Sequence, residues 1–283
     1  MQPLPMMAYA LLHYPITLGD TMPSPVAMTI AGSDPSGGAG LQADLKTFHQ
    51  HGVYGASVVT LLTVQNTQTV SAVHPLVPDL VTQQFDAVVS DLSPAATKTG
   101  ALGNRNLMQA VASRLHEATF PIVVDPVMIS KHKVPLMDET CIQLFTESIL
   151  PSASLVTPNL FEATKLAGVT ITDLDSMKEA ASKIRDMGAE AVLIKGLKQH
   201  DKISDLLLAD EEFSIWNTPV LDTPHTHGTG CVLSAAVTAR IAKGTSILQA
   251  VEGAKRFITH SIQTAPGLGH GVGPVNLFAP VDP

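Results

Sequence analysis

From Val26 onward the chain alternates short β-branched runs with longer segments of helical periodicity, and no other feature restricts its fold as tightly. VAMTIA (26–31) reads as a buried strand entering a Gly-rich turn, after which Leu41, Leu45 and Phe48 recur at helical spacing through 41–51. Strands are expected at 56–64, 96–100, 121–127 (ended by Pro126), 154–157 and 191–195. Helices are expected at 79–89, 104–117 and 140–150, from Asn159, and at 176–187 before Gly188. DLLLA and FSIW read as a late hairpin pair, and two helices, 230–243 and 247–264, precede the Gly-rich tail PGLGHGVGPV. Strands that are continuous Val/Ile/Leu runs are buried on both faces, so the pattern predicts a mostly parallel sheet with helices on either side. Neither repeat nor linker interrupts it, so residues 26–283 are expected to form one domain.

Composition narrows the function. A 45% hydrophobic fraction in 283 residues can bury a sizeable core. Only 4% of residues are aromatic, so that core must rest on Ala, Val, Leu, Ile and Met. A net charge of −8 argues against a sequence-independent nucleic-acid binder, which needs a basic surface. It leaves room for phosphate ligands, which a few backbone N–H groups and one lysine can hold. No apolar run reaches the roughly 18 residues of a membrane span. Two cysteines, Cys141 and Cys231, are too few for a disulfide scaffold and fit a reducing, cytoplasmic setting. Residues 1–25 are apolar and Pro-rich without Lys or Arg, unlike a signal or presequence. They read as a poorly ordered extension, with Met22 as an alternative start.

In open α/β sheets, ligands bind beyond the carboxyl ends of the strands. Five such loops stand out. AGSDPSGGAGLQADLKTF (31–48) combines glycines that permit close backbone approach with a helix start, though a plain tight turn has the same composition. It lacks the GK[ST] of a Walker A loop. TVQNT (63–67) is either a capped turn or a place where Gln65 meets a heterocycle edge. In VVDPVMISK (123–131), Asp125 either orients a ligand or ends the strand. In VTPNLFEA (156–163), Asn159 and Glu162 have capping-box spacing, which is the reading spacing alone favours; Mg²⁺ association is the alternative.

The fifth loop, DTPHTHGTGCVLSAA (222–236), is the most informative. Gly228, Thr229 and Gly230 lead into an Ala-rich helix, so their N–H groups should form an anion hole reinforced by the helix dipole. Cys231 falls in the first turn, where a thiol pKa is expected to drop. His225 and His227 without a third nearby ligand do not make a metal site.

Taken in order, AGSDPSGGAGLQADLKTF, VQNT, DPVM-x-x-K, TPN-x-x-E-A, KG after a buried strand, DTPHTHGTGC-x-LSAA and GHG-x-GPV resemble the hydroxymethylpyrimidine/phosphomethylpyrimidine kinases of thiamine biosynthesis, a branch of the ribokinase superfamily. The resemblance spans about 26–275. It implies a ribokinase-like three-layer αβα sandwich, ATP and Mg²⁺ as cofactors, two successive phosphorylations and a homodimer. By the same resemblance Gln65 binds the pyrimidine, with Gly32, Asp44 and Val127 in the substrate pocket. Gly228, Gly230 and Cys231 form the catalytic anion hole, with Cys231 where most ribokinase relatives carry an aspartate base. Asn159 and Glu162 become metal-associated, and Lys195, Asn159 and Thr229 face the nucleotide.

Two departures stand out. Ala101 occupies a position where the family commonly has methionine, which would enlarge the ring pocket. Leu197 and Lys198 replace the second glycine and the histidine of KGGH, a change expected to loosen a nucleotide-side loop. Two other readings therefore stay open: a pyridoxal kinase, and a pyrimidine-binding sensor without turnover.

Overall fold

A computed structural model describes residues 24–281, so the reading of 1–25 as an extension lies almost wholly outside the described residues. Nine strands, β1 (Val26–Ser33), β2 (Tyr54–Gln65), β3 (Val70–Pro75), β4 (Ala96–Thr99), β5 (Ile122–Val124), β6 (Leu155–Val156), β7 (Val192–Gln199), β8 (Lys202–Ala209) and β9 (Glu212–Pro219), form one sheet. Their order is β3-β2-β1-β4-β5-β6-β7-β8-β9. The six strands from β2 to β7 in that order are parallel, as the continuous apolar runs require. Antiparallel pairing adds β3 at one edge and the expected β8–β9 hairpin at the other.

β3 was not foreseen. It forms because the Asn66 side chain accepts from the N–H groups of Gln68 and Thr69 (2.9 and 3.0 Å), turning the chain back along β2. The helix expected at 140–150 is shorter, α4 (Ile142–Ser148), with a 3₁₀ turn on each side; Pro151 lies in the second.

The strand pleat sends alternate side chains to two cores. Met28, Ile30, Val192 and Ile194 face a layer of α2 (Pro78–Leu92), α3 (Arg105–His116), α4, α5 (Leu160–Ala167) and α6 (Leu174–Asp186). Ala27, Val123, Leu155 and Leu193 face α1 (Gly40–Gln50), α7 (Thr229–Ala242) and α8 (Ile247–Gln263). α7 is apolar nearly all round and is buried between the sheet and its neighbours, which fits its Ala-rich sequence. The result is the expected αβα sandwich. Among the described residues no helix is long and apolar enough to cross a membrane.

Candidate active site

The ends of β1, β2, β4, β5, β6 and β7 open into one cavity of about 730 Å³. Every parallel strand thus delivers the loop at its carboxyl end to the same place. Gly32, Gln65, Val127, Asn159, Glu162, Lys195, Gly228, Thr229, Gly230 and Cys231 all line it. Asp44 is the exception.

Two glycine loops interlock at the floor. The carboxylate of Asp34 organises the first: it accepts from the Ser36 N–H and hydroxyl (2.9 and 2.7 Å) and from the Ala39 N–H (2.8 Å). Gly40 opens α1 at φ +55, and a Cβ there would strike the Gly32 carbonyl. Gly228 caps α7 at φ +78, where a Cβ would strike the Gly38 carbonyl. Only glycine satisfies the backbone and the contact together. The Thr229 N–H turns back to the Thr226 carbonyl at 3.4 Å, whereas the Gly230 and Cys231 N–H groups in the first turn of α7 have no intrahelical acceptor and are available to the cavity as donors.

Asp44, expected in the substrate pocket, sits behind its wall at 0% exposure. Both its oxygens lie 2.9 Å from Lys98 Nζ, and the Thr29 hydroxyl donates to it at 2.6 Å. Burial raises the Asp44 carboxyl, while Asp44 draws the buried Lys98 ammonium above its ordinary range. Asp44 therefore holds Lys98, which does line the cavity. Asp44→Ala strands that ammonium, and chemical denaturation should show a loss of about 3–5 kcal/mol. The double variant Asp44→Ala/Lys98→Met should recover most of it, because no charge is then left unpaired.

Cys231 is half-buried at the cavity floor. The expected fall in its pKa is not found: burial pushes the thiol up to about 12, although Lys98 and the Gly40 N–H work in the other direction. The lost hydration outweighs the Lys98 charge and the Gly40 N–H together, and the charges of Asp44 and Asp125 add to the rise.

Beside it stands a cluster that sequence reasoning reached only in part. Lys195 Nζ lies 3.2 Å from Asp125, which also accepts from Ser234 (3.2 Å) and Thr157 (3.4 Å). Asp125 and Glu162 draw Lys195 upward in spite of burial. A Cβ on Gly230 would lie 3.4 Å from that ammonium, so lysine and anion hole share one spot. Asn159 and Glu162 do form the capping box that their spacing favoured, at 3.0 and 2.8 Å. Yet Glu162 is also buried in the cavity wall. Burial, then the charge of Asp125, raises its carboxyl to about 7. Two buried carboxylates that repel each other are hard oxygen donors with a charge to neutralise, and they fit Mg²⁺ held partly through water. Asn159 spends its side-chain oxygen on the cap, so Glu162 and Asp125 are the better candidates.

The two flanks differ. On the β2–β1–β4 side the wall is Gly32, Leu61, Gln65, Ala101, Val127 and His227, a mostly apolar surface with a few polar atoms. Gln65 Nε2 lies 3.2 Å from His227 Nε2, which lies 2.8 Å from Asp34 Oδ2. On the β7–β9 side Ile203, Pro219, Leu221, Ile258 and Ile262 form an apolar wall. Leu197 and Lys198 do not loosen this flank. They continue the β7–β8 ladder opposite Ser204 and Ile203, with Leu197 buried. The adjacent bulge at Gly196 (φ +96) is pinned by its N–H to Asp205 (2.7 Å), and Lys255 Nζ holds the other Asp205 oxygen at 2.5 Å.

Asp34, Lys98, Asp205, His227 and Lys255 were not selected from the sequence. Asp34, Lys98 and Asp205 share one signal, a charged side chain in or beside an otherwise apolar run, as in AMTIAGSD, AATKTG and ISDLLLA.

The phosphomethylpyrimidine kinase family profile matches residues 34–276. A hydroxymethylpyrimidine/phosphomethylpyrimidine kinase of Bacillus subtilis (strain 168) is 45% identical over 256 residues, covering 89% of this chain and 94% of that one. Among solved structures, the Staphylococcus aureus pyridoxal kinase in complex with AMP-PCP and pyridoxal superposes with a TM-score of 0.83 at 37% identity, covering 90% and 94% of the two chains. The phosphomethylpyrimidine kinase from Clostridium difficile 630 gives 0.76 at 36% identity, covering 84% and 100%. With profile, sequence and fold in agreement along nearly its whole described length, this chain belongs to the phosphomethylpyrimidine kinase family.

Proposed function

We propose that the chain transfers a phosphoryl group from ATP to 4-amino-5-hydroxymethyl-2-methylpyrimidine and then a second one to the resulting monophosphate. The observation that carries this reading is the position of the charged centre. Lys195, Asp125, Glu162 and the start of α7 line the same cavity as the Gln65–Ala101–His227 flank and the apolar Ile203–Pro219–Ile258 flank. Phosphoryl transfer asks for alignment and charge neutralisation more than for covalent help. Bound ATP·Mg²⁺ supplies the phosphoryl group and a neutralising cation. The N–H groups at Gly230 and Cys231 and the Lys195 ammonium meet the charge on the transferring oxygens. Gln65 and Val127 hold the ring so that its hydroxymethyl oxygen faces that centre. Cys231, at the same helix start and in its thiolate form, takes the hydroxyl proton as the new P–O bond forms and the P–O bond to the departing ADP breaks. Residues 26–283 act as one kinase unit.

Small molecules are its partners, and nucleic acid and membrane are not. The two free cysteines support a cytoplasmic setting, and exposed Leu62 and Val64 on one face of β2 offer an apolar patch for a homodimer. Pyridoxal is the second substrate worth testing: Ala101 leaves space in the ring wall, and a pyridoxal kinase is among the structural neighbours.

ATP consumption should depend on the added pyrimidine. Binding of the pyrimidine without any turnover would favour a sensor instead.

A further inference from the structure

We propose that Asp34 and His227 fix the direction of the Gln65 side-chain amide, so that its NH₂ faces the ring and selects a substrate with an unprotonated ring nitrogen at that place. The inference rests on the function proposed above and supplies its specificity.

His227 is 3% exposed and carries one proton when neutral. Among the described residues its buried Nδ1 has no hydrogen-bond partner, whereas Nε2 lies 2.8 Å from the Asp34 carboxylate. The proton therefore sits on Nε2 and is donated to Asp34. Asp34 is in turn fixed by Ser36 and Ala39. Burial would raise its carboxyl, but the bonds from His227 and Ser36 outweigh that and hold it below the usual range. A carboxylate so held does not give its place to another proton.

The Gln65 amide end lies 3.2 Å from the same Nε2. An NH₂ there would set donor against donor. The two ends of an amide have nearly the same shape, so the stable orientation places the oxygen on the imidazole N–H. The NH₂ then points toward Thr63 Oγ1, at 3.4 Å, and the cavity. The Thr63 hydroxyl is itself committed to the Ser33 carbonyl at 2.9 Å and is free to accept. Gln65 thus presents a donor, and a complementary ring must present an acceptor. His227 and Asp34 act through Gln65 and are positioning residues.

The test compares the parent aminopyrimidine with two analogues, each having one ring nitrogen replaced by C–H. Wild type should lose about tenfold in kcat/KM, mostly through KM, on one analogue and not on the other. His227→Gln, whose amide nitrogen reaches the Nε2 position, should keep that preference. His227→Asn reaches only the Nδ1 position and should reduce it to within about twofold, with thermal melts confirming that both variants fold. Gln65→Glu leaves Asp34 and His227 untouched, removes the donor, and should abolish the preference while raising KM for the parent about tenfold. Equal use of all three compounds by wild type overturns the inference. So does a folded His227→Asn, or a Gln65→Glu, that retains the full preference. If wild type fails to phosphorylate the parent, the proposed function fails; calorimetric binding of the same three compounds still reads the amide direction.

Discussion

Replacing Cys231 with serine should leave the fold intact and lower turnover by about 10²–10⁴-fold, the usual scale of general-base assistance. The thiol is half-buried in the first turn of α7, and a hydroxyl of similar size makes few new demands there. What changes is acidity. With the thiol at about 12, only a small fraction is thiolate near neutrality. If that fraction accepts the hydroxyl proton, kcat should climb close to tenfold per pH unit between pH 7 and 9. The serine variant should lose both the rate and the slope. Unchanged turnover, or a wild-type profile flat over that range, removes Cys231 from proton transfer.

Glu162→Gln should lower turnover by about 10–100-fold and raise the Mg²⁺ concentration needed for half-maximal rate. The same change should stabilise the ligand-free protein at pH 8. Glu162 titrates near 7 when folded because burial and Asp125 oppose its charge, against an ordinary value of 4.5. Between those two values the folded state binds a proton that the unfolded state lacks, so stability falls as pH rises through that window. Above pH 7 the whole penalty is present, and glutamine removes it. The melting-temperature gain of Glu162→Gln over wild type should therefore be largest at pH 8 and shrink as pH falls through 7 toward 4.5. A gain that does not vary with pH would show that the carboxyl is not strained.

The parallel sheet, its two helical layers and five ligand-facing loops could be read from apolar periodicity and from the residues at the carboxyl end of each strand. β3 could not, because it depends on an Asn66 turn and on pairing with β2 rather than on its own weak pattern. Of the two readings that Asn159 and Glu162 offered, the capping box is formed, and the Glu162 carboxyl also lines the cavity, which is what the proposed Mg²⁺ association needs. Cys231 was located correctly while its acidity was not. A helix terminus is visible in a sequence, whereas burial of the thiol and its neighbours Asp44 and Asp125 emerge only from the fold. Asp44 shows the same limit. Its partner Lys98 is 54 residues away, and only the fold reveals that the two charges cancel behind the wall. Leu197 and Lys198 were expected to loosen a loop because a glycine was missing, yet the β8 ladder and Asp205 hold that segment.

The most direct test of the central claim is a mass-resolved assay with ATP·Mg²⁺ and, separately, hydroxymethylpyrimidine, its monophosphate and pyridoxal. Diphosphate formed from both pyrimidines, with pyridoxal turned over more slowly or not at all, is the expected result. Product from pyridoxal alone would contradict it and make the space beside Ala101 the feature to explain.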